Sequence, residues 1–121
     1  MLSAYSCSDE LEGDWDDNIK LSQKAVEFSA EPNSIIITTE GESWWIGGIS
    51  INRTSNFDLS GIDIISKNFV IEEVEFRIER KDATEIHIEI SENLTGAERV
   101  FYFDLQAGNY FDGIQITQSA N

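Results

Sequence analysis

Basic residues are scarce in this chain. Eight Lys and Arg stand against 23 Asp and Glu, giving a net charge of −15 over 121 residues. A surface so acidic repels phosphate backbones and anionic headgroups, which excludes nucleic acid as a partner and leaves a membrane reachable only through a lipid anchor. Cysteine is as rare: Cys7 is the single thiol, so neither an intrachain disulfide nor a thiolate zinc cluster can form. There is one proline beside eight glycines, too few for a low-complexity chain. No apolar run approaches the roughly 18–20 residues that cross a bilayer as a helix, and no internal repeat is present.

The motifs of common catalysts are missing too. No HExxH, P-loop, GxGxxG or nucleophile elbow occurs. A Ser-His-Asp triad would have to use His87, the lone histidine, which sits in a Glu-rich alternating run that reads as a wet sheet face. A glycosidase needs two carboxylates facing each other across a cleft, for which about 100 ordered residues leave little volume. The chain therefore reads as a non-enzyme that needs no cofactor. Calcium wants six to eight oxygen ligands; neither Asp58–Asp63 nor Asn109–Asp112 supplies them alone, so no metal is expected.

What the sequence does hold is period-two alternation, the mark of half-buried strands. Val74, Phe76 and Ile78 alternate with Glu75, Arg77 and Glu79; Ile86, Ile88 and Ile90 alternate with Glu85, His87 and Glu89. Between these runs the polar stretch Arg80 to Ala83 reads as a hairpin connection. Further strands are expected at 24–29, 34–39, 44–51, 98–105 and 111–118, with another in 62–71 around Ile62, Ile64 and Ile65, and turn residues separate them. With no 3.6-residue apolar pattern, the fold class is all-β: an immunoglobulin-like antiparallel β-sandwich of seven to eight strands. The expected division is residues 1–7 as the remnant of an export signal with its anchor cysteine, on the resemblance given below, 8–18 as an acidic tether, and 19–121 as the sandwich domain.

Two stretches, IKLSQKAVEFSAEPNSIIITTEGESWW (19–45) and IHIEISENLTGAERVFYFDLQAGNYFDGIQITQSAN (86–121), together resemble the BACON domain, a β-sandwich module of Bacteroidota surface proteins. An opening strand pair precedes Trp44-Trp45, Asn93 to Arg99 precedes a strand, and the last strand closes on Gln118. The resemblance implies a carbohydrate- or mucin-binding module, or else a spacer that holds partners away from the outer membrane. Arg99 is expected to donate to turn carbonyls, and the Gln118 amide to satisfy edge backbone. Leu2 to Glu10, with Ser6 before Cys7 and acids after it, resembles a bacterial lipoprotein signal with lipid attachment at Cys7 and placement on the outer membrane, at the cell surface or facing the periplasm.

Sugars pack their C–H faces on exposed aromatic rings while their hydroxyls seek polar partners. The candidate glycan-binding residues are Trp44, Tyr102, Tyr110 and Phe111. Neighbours in a strand face opposite ways, so only one of Trp44 and Trp45 enters the core. Ile49 and Ile51 share the parity of Trp45, which points Trp45 inward and leaves Trp44 for the ligand.

Overall fold

The structure, a computed structural model, describes residues 16–121. Cys7, Trp15 and the acidic segment up to residue 15 lie outside the described residues. Nine strands and no helix make up the described chain: β1 (Ala25–Phe28), β2 (Asn33–Thr38), β3 (Trp45–Ile51), β4 (Ser55–Asn56), β5 (Phe69–Glu72), β6 (Phe76–Lys81), β7 (Glu85–Ile90), β8 (Arg99–Ala107) and β9 (Tyr110–Gln118). They form a two-sheet sandwich. One sheet has the order β1-β9-β8-β3-β4 and the other β2-β7-β6-β5. The strands expected from alternation are present except the one around Ile62, Ile64 and Ile65, where the chain runs in turns and β5 begins only at Phe69; the two-residue β4 is an addition. The ladders are antiparallel with one exception, the parallel pair β1 and β9.

Alternation gives each sheet a dry face, and the dry faces meet. From one side come Ile46, Ile49, Phe101, Phe103, Leu105, Ile114 and Ile116; from the other come Ile37, Ile71, Phe76, Ile78, Ile86, Ile88 and Ile90, all buried. Phe76 bridges the two sheets edge-on, its ring centroid 5.6 Å from Phe103 and 6.3 Å from Phe101, the arrangement the ring quadrupoles favour.

Two further expectations fail inside this frame, each for a stated reason. Trp44 is the buried indole, at 2 % exposure, and Trp45 is half-exposed. The β3–β8 register runs Ile46 to Leu105 and then Gly48 to Asp104, so Gly47 is an extra residue in β3. Such a bulge reverses the facing of everything on one side of it. Trp44 and Ile46 point inward before it, Ile49 and Ile51 after it, and parity cannot be carried across. The second failure is Arg80. It lies in β6 and not in the connection, and only 1 % of it is exposed. The reversal is tighter than expected, with Asp82 and Ala83 both at positive φ (52° and 68°), as in the hairpin turns whose twist suits the flanking strands.

Each end of the sandwich is closed by one buried arginine. At the end where β3 begins, Arg80 Nη1 donates to the Trp44 carbonyl (2.7 Å) and the Ser66 carbonyl (3.2 Å), Nη2 to Glu42 (2.6 Å) and Nε to Ala83 (2.9 Å). Its guanidinium lies 3.6 Å from the centroid of the Trp44 ring. Burial pulls the guanidinium down to about 10, still charged at neutral pH. At the opposite end Arg99 donates to Gln118 Oε1 (2.8 Å) and to the carbonyls of Ser91 and Glu92. The Gln118 amide in turn donates to the carbonyls of Ser91 and Glu31. Both residues hold the backbone-satisfying roles expected of them.

The backbone near Trp44 is tightly set. Thr39 Oγ1 and the Gly41 carbonyl accept from the indole Nε1 at 3.2 and 3.1 Å. Gly41 leaves room for the chain at Asn18, whose carbonyl oxygen a methyl group there would strike. Ile19, fully buried, sits beside this crossing, its amide and that of Lys20 held by Asp17 Oδ1 at 3.1 and 2.8 Å.

Candidate binding face

Strands β3, β8 and β9 lie side by side, and their outward residues form rows across the sheet. The register sets Trp45 beside Gln106 and Gln106 beside Phe111 in one row. The next row is Gly48, Asp104 and Gly113, and the third is Ser50, Tyr102 and Gln115. Phe111 is 67 % exposed, and Tyr102 and Gln106 are half-exposed.

The middle row is a strip almost without side chains. A Cβ on Gly48 would lie 3.5 Å from Asp104 Oδ2, and one on Gly113 3.6 Å from Asp104 Oδ1. The exposed Asp104 carboxylate therefore lies between two bare backbones, with Gly47 also open on its side. Below this strip Arg53 closes the tight β3–β4 turn at φ 58° and lays its guanidinium 3.9 Å from the Tyr102 ring centroid. The Gln106 amide nitrogen donates to the Gly108 carbonyl (3.0 Å), so its oxygen remains directed toward the Gly47 side.

Trp45 stands at a second opening. Where β3 begins, Trp44, Trp45, Ser43 and Ile65 line a cleft of about 270 Å³. An ion pair between Lys67 Nζ and Glu42 Oε1 (3.3 Å) borders it, both side chains more than half exposed. Such a rim pair adds little stability. Ile65 at 70 % exposure gives the cleft an apolar wall.

Of the four residues expected to hold a glycan, Tyr102 and Phe111 lie on this face and Trp44 and Tyr110 do not. Trp44 belongs to the core. Tyr110 precedes Phe111 in β9 and so faces the other way, packed against the core. Its hydroxyl donates to Asp112 Oδ2 (3.0 Å), which also meets Lys24 Nζ at 2.8 Å. Burial first, and then Asp112, push the Tyr110 hydroxyl up to about 12. That carboxylate is engaged with its neighbours, as is Asp58, whose Oδ1 takes the Ser60 amide at 2.9 Å. Among the described residues no group of three or more His, Cys, Asp or Glu is placed to hold a metal ion. His87 lies on the outer face of the other sheet, 2.9 Å from Glu85 Oε1.

Sequence reasoning turned Trp45 inward in place of Trp44 and passed over Gly48, Gly113, Asp104, Gln106 and Arg53. One signal was available: a Gly-Gly pair inside an apolar strand marks a bulge or a close approach. The alternation of Asp104 and Gln106 with Phe103 and Leu105 was a second.

The fold is an all-β sandwich of a kind that recurs in Bacteroides proteins. A protein of Bacteroides thetaiotaomicron solved by NMR superposes with a TM-score of 0.68 at 22% identity, covering 90% of this chain and 92% of that one. A GH5 xyloglucanase of Bacteroides ovatus, solved in complex with a XXXG heptasaccharide, superposes with a TM-score of 0.52 at 17% identity. That match takes in 85% of this chain but 19% of the enzyme's. No protein-family model matches the chain, and no curated protein does.

Proposed function

We propose that this is a BACON-like, non-catalytic glycan-binding domain of a lipid-anchored outer-membrane protein, with sugar held on the outer face of the five-stranded sheet. The observation that carries the reading is the row Trp45, Gln106, Phe111 above a glycine-floored strip with one carboxylate in it. Rings supply stacking surfaces, and the amide and carboxylate serve the hydroxyls. The recurrence of this fold within a xyloglucanase chain agrees with a setting in carbohydrate use. Hydrolysis would need a second carboxylate opposite the first; the residues flanking Asp104 across the strands are Gly48 and Gly113.

A glycan array, followed by titration of the tightest sugar, tests this. Trp45→Ala and Phe111→Ala should each weaken binding about tenfold or more, the loss of roughly 1.4 kcal/mol of stacking, with melting temperature little changed for the exposed Phe111. Binding left intact in both variants would remove the face from consideration.

A spacer is the second reading, favoured by the parallel β1–β9 pair. Parallel strands run the same way, so the chain enters the domain at the Arg80 end and leaves at the Arg99 end. A parent protein that binds no glycan would leave this reading in its place.

The anchor is tested separately. Expressed with a full export signal, the protein should carry acyl chains on Cys7 and sediment with membranes. Cys7→Ser should release it in soluble form; unchanged membrane attachment in that variant would refute the lipoprotein assignment.

A further inference from the structure

Trp45 and Phe111 are two strands apart in one row. Strands are spaced by about 4.8 Å, so their backbones stand about 10 Å apart, measured across the sheet. That is close to the length of a disaccharide in a flat β-1,4-linked chain. In such a ribbon alternate sugars present the same face in the same direction. Two rings one disaccharide apart can therefore stack on every second sugar, with the intervening sugar beside Gln106.

The strip below this row suits the same shape. Gly48 and Gly113 leave the backbone bare on either side of β8, and only Asp104 projects between them. A branched or sharply bent chain gains nothing from a straight strip that crosses three strands, whereas a flat ribbon can lie along it. Tyr102, with Arg53 against its ring, forms the far side, two residues or about 7 Å further along β8.

Charge narrows the class again. A carboxylate accepts hydrogen bonds and has none to donate, so Asp104 favours hydroxyl groups and opposes sugar carboxylates or sulfates. The whole protein, at −15, pushes the same way through its long-range field. Among the described residues Arg53 is the one cation on this face, and it lies at the far side, on Tyr102.

We infer that the face takes a neutral, unbranched β-1,4-linked glycan laid across β3, β8 and β9, with Asp104 reading its hydroxyls and rejecting acidic chains. This rests on the glycan-binding reading above and specifies its ligand.

The experiment is titration calorimetry with cellohexaose, and affinity electrophoresis in hydroxyethyl cellulose against carboxymethyl cellulose. The variants are Trp45→Ala, Phe111→Ala, Asp104→Ala and Asp104→Lys, each checked by a thermal melt. Parent protein should bind cellohexaose and be retarded by the neutral polymer but not by the carboxymethylated one. Asp104→Ala should weaken cellohexaose binding about ten- to hundredfold, the loss of hydrogen bonds to a charged acceptor. Asp104→Lys, which turns the charge at the centre of the strip, should gain retardation by carboxymethyl cellulose. Equal retardation of the parent by both polymers, or cellohexaose binding indifferent to Asp104→Ala and Phe111→Ala, would overturn the inference. If the parent ignores cellohexaose but binds another sugar in a Trp45-dependent way, the ligand class falls while the binding face stands. If no neutral or acidic glycan on an array binds, both fall together.

Discussion

Trp44→Ala should cost about 3–5 kcal/mol of stability, the range for deleting a large buried aromatic, whereas Trp45→Ala should cost far less. For a domain of about 100 residues this lowers the melting temperature by at least about 12 °C. Three losses combine. The indole is buried at 2 % exposure, so its removal opens a cavity at the end of the core. Loss of its Nε1 takes one donor from Thr39 Oγ1 and one from the Gly41 carbonyl, which then keeps only the Thr39 hydroxyl. The guanidinium of Arg80 loses the ring it lies on. Trp45 makes none of these hydrogen bonds, and part of its surface already meets water. Urea or thermal unfolding of both variants checks the difference. A larger loss in Trp45→Ala would contradict the bulge at Gly47, since a register without it turns Trp45 inward.

Arg80→Ala should be as damaging, again about 3–5 kcal/mol. The side chain donates to the carbonyls of Trp44, Ser66, Glu42 and Ala83. A buried acceptor left unpaired costs about 1–3 kcal/mol, and water entering at the sandwich end relieves part of that sum. Arg80→Met, which keeps the stem but no donor, should behave much like alanine. Arg80→Lys should recover less than half, because an ammonium is a point donor and cannot fork to carbonyls on several segments. Since Arg80 and Trp44 touch, the double variant should cost clearly less than the two single losses added together. Full additivity in that cycle would mean that the stacked pair acts as two independent residues.

The strands themselves were legible in the sequence, because each sheet has one wet face and period-two alternation reports it directly. Glu-Ile alternation through β7 and Phe-polar alternation through β8 left no other reading. The sheet partners were not legible: β1 pairs with β9 ninety positions later, and no local pattern encodes a partner. Arg80 was readable in principle. It shares the parity of Phe76 and Ile78, and the alternation extended by two residues places it inside, yet its charge argued for a turn. Trp44 and Trp45 were misassigned because parity was carried back from Ile49 through Gly48 and Gly47, where the backbone takes one extra step. Tyr110 and Phe111 could not both have faced a ligand, as neighbours in a regular strand, and this too was written in the spacing. The candidate face as a surface was hidden, since it joins residues of β3, β8 and β9 that only the register brings into rows.

The parallel joining of the first and last strands sets how the domain answers to being pulled. Tension through the two ends draws β1 toward the Arg80 end and β9 toward the Arg99 end, so the strands are made to slide past each other. The pairs from Ala25 with Gln115 to Phe28 with Gln118 then take the strain together, side by side, where a hairpin pulled at its open end would surrender its bonds singly. Lys24 on Asp112, just outside the ladder, resists the same slide. In the proposed setting, a domain pulled through its two ends meets drag in its mechanically stiff direction, and the outer face of its five-stranded sheet keeps its shape under load.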